Sequence, residues 1–156
     1  MFNVKEIMTT ELYTLAPDDS LQDARKLMTE HNVRHIPIVS KNRQLLGLLS
    51  QRDVLAAADS IVQPHPEESE AMESRIAISS VMTLNPTTID ENTSLRGAGL
   101  HMQQHRIGCL PVVQDDALVG IITDSDLENF TFIVTTTYAD VVLSLRNCSY
   151  HVFRNI

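Results

Sequence analysis

Two stretches of the chain place a hydroxyl and a carboxylate at the same spacing behind a glycine: Gly47-x-x-Ser50-x-x-Asp53 and Gly120-x-x-Thr123-x-x-Asp126. An apolar run precedes each hydroxyl and a helix is expected to start just after it. The hydroxyl can cap that helix, whose free amides and dipole attract anions. The carboxylate three residues on falls in the first turn, where it can accept hydrogen bonds from a vicinal diol such as a ribose. The glycine lets a flat ligand approach the strand backbone. Hydroxyl plus carboxylate at this spacing is also an ordinary capping box, so a duplicated structural cap is the competing reading.

The two motifs end two copies of one longer pattern. Residues 4–39 recur at 78–113 with an offset of 74, and residues 45–54 recur at 118–127 with an offset of 73. Ten positions are identical in the first block, among them Met8/Met82, Thr14/Thr88, Ser20/Ser94, His31/His105 and Pro37/Pro111. Each copy reads β-α-β-β-α. A short β-segment lies at 13–15 or 87–89, followed by a helix capped by Ser20 or Ser94. Leu21, Ala24, Leu27 and Met28, answered by Leu95, Ala98, His101 and Met102, recur at helical spacing and form a buried stripe. Gly97 and Gly99 weaken the second of these helices. Ile36-Pro37-Ile38-Val39 and Leu110-Pro111-Val112-Val113 are short and β-branched, so they read as strands whose prolines face away from a ladder partner. Residues 45–49 and 118–122 read as continuous apolar strands covered on both faces, followed by a second helix from Gln51 or Asp124. Copies of about 55 residues bury too little alone. They are expected to pair about a pseudo-twofold axis as one α+β unit, with a cleft at the seam.

The chain has 156 residues, 43% of them hydrophobic, and a net charge of −8. The charge is uneven: residues 1–58 balance, and the excess acid lies in 59–75 and 76–156. With no basic stripe, generic nucleic-acid binding is disfavoured. No apolar run is long enough to span a membrane, and the first residues lack a signal-peptide pattern. Cys109 and Cys148 sit in unrelated contexts, so both read as reduced thiols of a cytoplasmic protein. The expected division is repeat 1 over 1–58, an acidic, aperiodic linker over 59–77, repeat 2 over 78–128 and a C-terminal tail over 129–156. The tail holds an apolar run at 131–137 with strand propensity and a short helical pattern at 139–146. His101 and His105 stand i, i+4, but without a third ligand they read as a core residue and a helix-end cap rather than metal ligands. His31, which matches His105, reads as a cap as well. Cys109 reads as a small core residue.

These features together resemble the tandem cystathionine-β-synthase (CBS) domain pair, or Bateman module. The openings Ile7-Met8-Thr9 and Val81-Met82-Thr83, the threonines Thr14 and Thr88, the apolar-Pro-apolar-Val strands and the Gly-x-x-Ser/Thr-x-x-Asp ends carry the resemblance over residues 4–127. It implies a regulatory module, not an enzyme, that binds AMP, ADP, ATP or S-adenosylmethionine between its repeats. Carried over by position, a first cleft would use Asp53 for the ribose, with Ser50, Arg34 and His35 toward phosphate and Arg52 as an added cation. Leu48 would line the base there, bordered by Thr88. A second, weaker cleft would use Asp126 and Thr123, with Ile121 along the base, Thr14 across the seam and Cys109 at the place of His35. Gly108 and Cys109 leave it without the cations of the first. The first cleft is therefore expected to take a nucleotide and the second a weakly charged adenosine ligand or nothing. The resemblance also implies a homodimer and an effector protein that the sequence does not name, with no cofactor and no metal. The alternative is a structural or dimerisation module with degenerate pockets.

Overall fold

The computed structural model describes residues 2–60 and 66–131. The tail expectations for 132–156 lie outside these residues. Each repeat opens with one turn of 3-10 helix, Val4–Glu6 and Ile78–Ser80. In repeat 1, α1 (Leu21–His31) is followed by β1 (His35–Val39), β2 (Leu45–Ser50) and α2 (Gln51–Asp59). A connecting helix α3 (Pro66–Glu73) leads to a short strand β3 (Thr83–Leu84). Repeat 2 then gives α4 (Leu95–His105), β4 (Cys109–Gln114) and β5 (Ala117–Thr123), and a last helix, α5, covers 124–131. Among the described residues no helix is long and apolar enough to cross a membrane.

Both first helices start where the serines predict. Ser20 accepts from the Asp23 amide and Ser94 from the Gly97 amide. Both end on a left-handed residue, Asn32 at φ 52° and Arg106 at φ 54°. Leu21, Ala24 and Met28, and in parallel Leu95, Ala98 and Met102, face inward. Their two half-buried partners are Leu27 and His101. β1 and β2 pair antiparallel with Pro37 opposite Leu48, and β4 and β5 with Pro111 opposite Ile121. The proline edge faces elsewhere, as predicted: the Leu15 amide donates to the Pro37 carbonyl and the Val39 amide to the Leu15 carbonyl.

Four expectations change. The strands expected at 13–15 and 87–89 shrink to single parallel bridges, Leu15 to Ile38 and Ile89 to Val112. β2 and β5 are fully covered on one face only: Gly47 and Leu49, and Leu118, Gly120 and Ile122, are buried, while Leu48, Val119 and Ile121 between them are half-buried. The acidic linker contains α3, which is tied to α1 by an ion pair of 2.7 Å between Arg25 and Glu73. Glu73 is 3% exposed, so this member of the acidic run is not a solvated side chain. Thr131, placed by propensity in a strand, continues α5.

The sequence repeats are not the packing units. Ile78 is buried with Leu21, Ile36 and Leu49 of repeat 1, and Val81 and Met82 pack against the same core. Val4 is buried with Leu95, Leu110 and Ile122 of repeat 2, joined by Ile7 and Met8. Each repeat therefore gives its opening to the other. Backbone bonds fix the exchange twice over: the Leu21 amide donates to the Ile76 carbonyl and the Ile78 amide to Asp19, and likewise Leu95 donates to Phe2 and Val4 to Thr93. β3 then pairs with β2, Thr83 opposite Leu48, and Thr9 bridges Ile121 in the matching place.

This crossing explains the two motif glycines differently from the sequence expectation. A Cβ on Gly47 would stand 2.5 Å from Met82 Sδ and 3.0 Å from the Thr83 carbonyl, and one on Gly120 2.7 Å from Met8 Sδ and 3.1 Å from the Thr9 carbonyl. The space is filled by the other repeat's methionine, not left for a ligand. Gly47→Val and Gly120→Val are expected to cost about 1–3 kcal/mol of unfolding free energy each in urea titrations, through overpacking. Gly99→Ala, whose Cβ would meet only Leu127 Cδ1 at 3.6 Å among the described residues, is the control and is expected to be neutral or stabilising.

Candidate functional site

The end of β2 delivers Ser50 in an extended conformation (φ −99°, ψ 158°), so that its side chain turns back over the first turn of α2. Asp53 Oδ2 accepts from the Ser50 amide at 2.9 Å and from the Ser50 hydroxyl at 2.6 Å, while the Asp53 amide donates to Ser50 Oγ. Thr123 and Asp126 repeat this arrangement at 2.8 and 2.7 Å. Each carboxylate thus spends one oxygen on a capping box, and among the described residues nothing bonds the other. A free Oδ1 in a fixed orientation is what a diol needs. The helix amides offer less than expected, because the Gln51 amide donates to the Arg34 carbonyl and the Asp124 amide to the Gly108 carbonyl. An anion at this end would have to be held mainly by side chains.

The side chains are present in a cleft of about 710 Å³ at the seam. Repeat 1 supplies Arg34, His35, Leu48, Ser50, Arg52 and Asp53 to its wall, six residues that the family resemblance placed in one cleft. The crossing segment supplies Thr83, Asn85, Pro86 and Thr87. Thr88, expected to border the base, is not in the lining; its neighbour Thr87 is. Cys109, assigned to the second cleft, lines this one, as do Gly108, Asp124 and Arg106. Arg106 was missed because its partner position in repeat 1 is the uncharged Asn32. The signal was its place as the residue closing α4, directly before the β4 approach. Among the described residues Arg52 and Arg106 form no ion pair.

In the second motif, Ile121 exchanges backbone bonds with Thr9 at 2.9 and 3.0 Å. Thr14 is half-buried beside Leu15. Arg34 was assigned wholly to the first cleft. Its Nη2 also donates to Ser125 Oγ at 2.9 Å and lies 3.9 Å from Asp124 Oδ1, so one guanidinium spans both repeats. The first turn of α5, which carries Asp126, is therefore not without a cation, although its own Gly108 and Cys109 supply none.

Burial pushes the His35 pKa below its ordinary value, against an upward pull from Asp124 and Asp53 and with a further downward push from Arg34. His35 is consequently neutral at pH 7 and is not the fixed cation that its position suggested. Burial, with the charges of Asp126 and Asp124, pushes the Cys109 thiol up to about 12. That thiol is a packing group and a poor nucleophile. His31 stacks on Tyr13 with ring centroids 3.9 Å apart; the His101 and His105 ring centroids lie 4.3 Å apart, and the buried His101 Nε2 has no hydrogen-bond partner among the described residues.

The His35 shift has a definite sign. The unfolded chain takes up a proton near pH 6.5 and the folded chain only at lower pH, so stability is lost as pH falls below about 6.5. An NMR titration of the His35 ring is expected to show a midpoint below that of a model histidine. His35→Gln is expected to flatten the stability profile between pH 7 and 5.

The CBS domain family profile matches residues 4–60 and 78–130. The CBS domain-containing protein YhcV of Bacillus subtilis is 34% identical over 127 residues, which cover 81% of this chain and 84% of that protein. The fold is similar to the CBS domain pair of protein MJ0100, solved in complex with 5′-methylthioadenosine and S-adenosyl-L-methionine, with a TM-score of 0.70 at 26% identity over 84% of this chain and 96% of that one. It is also similar to CBSX2 of Arabidopsis thaliana, solved in complex with AMP, with a TM-score of 0.73 at 25% identity over 86% and 99% of the two chains. The order of the elements, the crossed openings and these matches agree, and the chain belongs to the CBS domain family as a tandem pair.

Proposed function

We propose that this CBS pair is a ligand-sensing regulatory module that binds an adenosine-containing ligand in the first cleft. The observation that carries the reading is the joint placement of Asp53, Arg34, Arg52 and Arg106 around one space of about 710 Å³, a size suited to a small-molecule site. CBS pairs of the same fold hold AMP or S-adenosylmethionine. Asp53 takes the ribose hydroxyls, Leu48 lies along the base, and the arginines face phosphate. The second cleft, with Asp126, Thr123, Ile121 and Thr14, takes a less charged adenosine ligand or none. Walls from both repeats mean that a bound ligand contacts both at once. It can therefore favour one relative placement of the repeats by its differential affinity, and a partner protein or a second copy of the chain reads that placement. The module acts in the cytoplasm and has no catalytic step of its own.

Calorimetric titration with AMP, ADP, ATP and S-adenosylmethionine tests this. Asp53→Ala is expected to weaken binding about tenfold or more, the loss typical of a hydrogen bond to a charged group, while Asp126→Ala leaves the first cleft unchanged. Circular dichroism checks that each variant is folded, since both lose a cap. Binding lost only in Asp126→Ala would reverse the assignment of the clefts. A folded wild type that binds none of the four would leave the capping boxes as structural devices and make the chain an interaction module.

A further inference from the structure

Asp124 opens α5 and shares the wall of the first cleft with Asp53. Its Oδ1 accepts from the Ser125 amide at 2.8 Å and lies 3.9 Å from Arg34 Nη2. Its Oδ2 lies 3.3 Å from where a Cβ on Gly108 would stand. Gly108 is the repeat-mate of Arg34, so the place of a second cation beside Asp124 is empty. Of the three arginines lining the cleft, Arg34 alone has an ion partner among the described residues, and that partner is Asp124. The two side chains are 61% and 55% exposed, so the pair adds little to stability. Its effect falls on what the cleft admits.

We propose that Asp124 is a specificity-determining residue of the first cleft: its carboxylate competes with a ligand's phosphate for Arg34, and so lowers the preference for phosphorylated over unphosphorylated adenosine ligands. The inference rests on the reading of this cleft as an adenosine site. A phosphate drawn to Arg34 must approach the Asp124 charge or displace it, whereas an uncharged ribose 5′ end meets no such opposition. This is discrimination by a repulsive element placed beside an attractive one. Arg52 and Arg106 keep the cleft open to phosphate, and Asp124 sets how strongly phosphate is favoured.

The test is Asp124→Asn, which keeps an acceptor for the Ser125 amide and removes the charge. Calorimetry with adenosine and with AMP is run on wild type and variant at low and high salt. AMP affinity is expected to rise about fivefold or more at low salt, the size of one repulsion near 4 Å in water. Adenosine affinity is expected to stay the same, and the gain for AMP to shrink at high salt. Asp124→Ser, checked in the same way, guards against an effect of the asparagine itself. An unchanged AMP affinity, or an equal gain for adenosine and AMP, overturns the proposal while leaving the adenosine site intact. A wild type that binds neither compound removes the adenosine reading, and this inference with it.

Discussion

The exchange of opening segments is the constraint on which the rest depends. Met8 and Met82 fill the spaces that Gly120 and Gly47 leave on the opposite repeat. The residues just after them, Thr9 and Thr83, bond to the exposed edges of β5 and β2. Without these segments each core would be open along one side and each sheet would end in an unpaired edge. With them, the seam between the repeats is fixed by backbone hydrogen bonds as well as apolar contact, and the cleft that it encloses has walls of defined position.

Within that frame, one device serves two ends. The capping box at the start of α2 orients Asp53 by two bonds to one oxygen, and among the described residues nothing bonds the other. On the proposed reading one side chain would serve both stability and ligand geometry, so the structural and functional readings of the motif are not exclusive. The pseudo-symmetry is broken where it matters electrically. Arg34 and His35 face Gly108 and Cys109 in the matching positions, and Arg34 reaches across to the first turn of α5. One arginine thus contributes to both halves of the seam, and the halves are unequal because of it.

Much of this was legible in the sequence. The duplication, the serine caps, the orientation of the strand prolines and the two helix starts after Ser50 and Thr123 follow from local chemistry that acts within a few residues. The grouping of Arg34, His35, Leu48, Ser50, Arg52 and Asp53 came instead from the family resemblance, and the β1–β2 hairpin and the start of α2 are what bring them to one wall. What was not legible depends on long-range pairing. An internal repeat gives each opening segment two equivalent cores to enter, and nothing local chooses between them. The reach of Arg34 to Ser125, the place of Arg106 in the cleft wall and the replacement of Thr88 by Thr87 in the lining all depend on that choice. The helix α3 was missed because its amphipathic signal is weak, and because the buried Glu73 reads as one more acid until Arg25 is placed beside it.

The crossed openings also bear on how such a chain could have arisen. A single repeat lacks the segment that closes its own core, but two identical copies would each hold the segment the other needs. The reciprocal contacts of Val4 and Ile78 are those of a swapped pair of separate chains. Joining the copies head to tail turns an association that depends on concentration into one that depends only on tether length. Once joined, the copies are free to diverge. They already differ where Arg34 and His35 of one copy stand against Gly108 and Cys109 of the other.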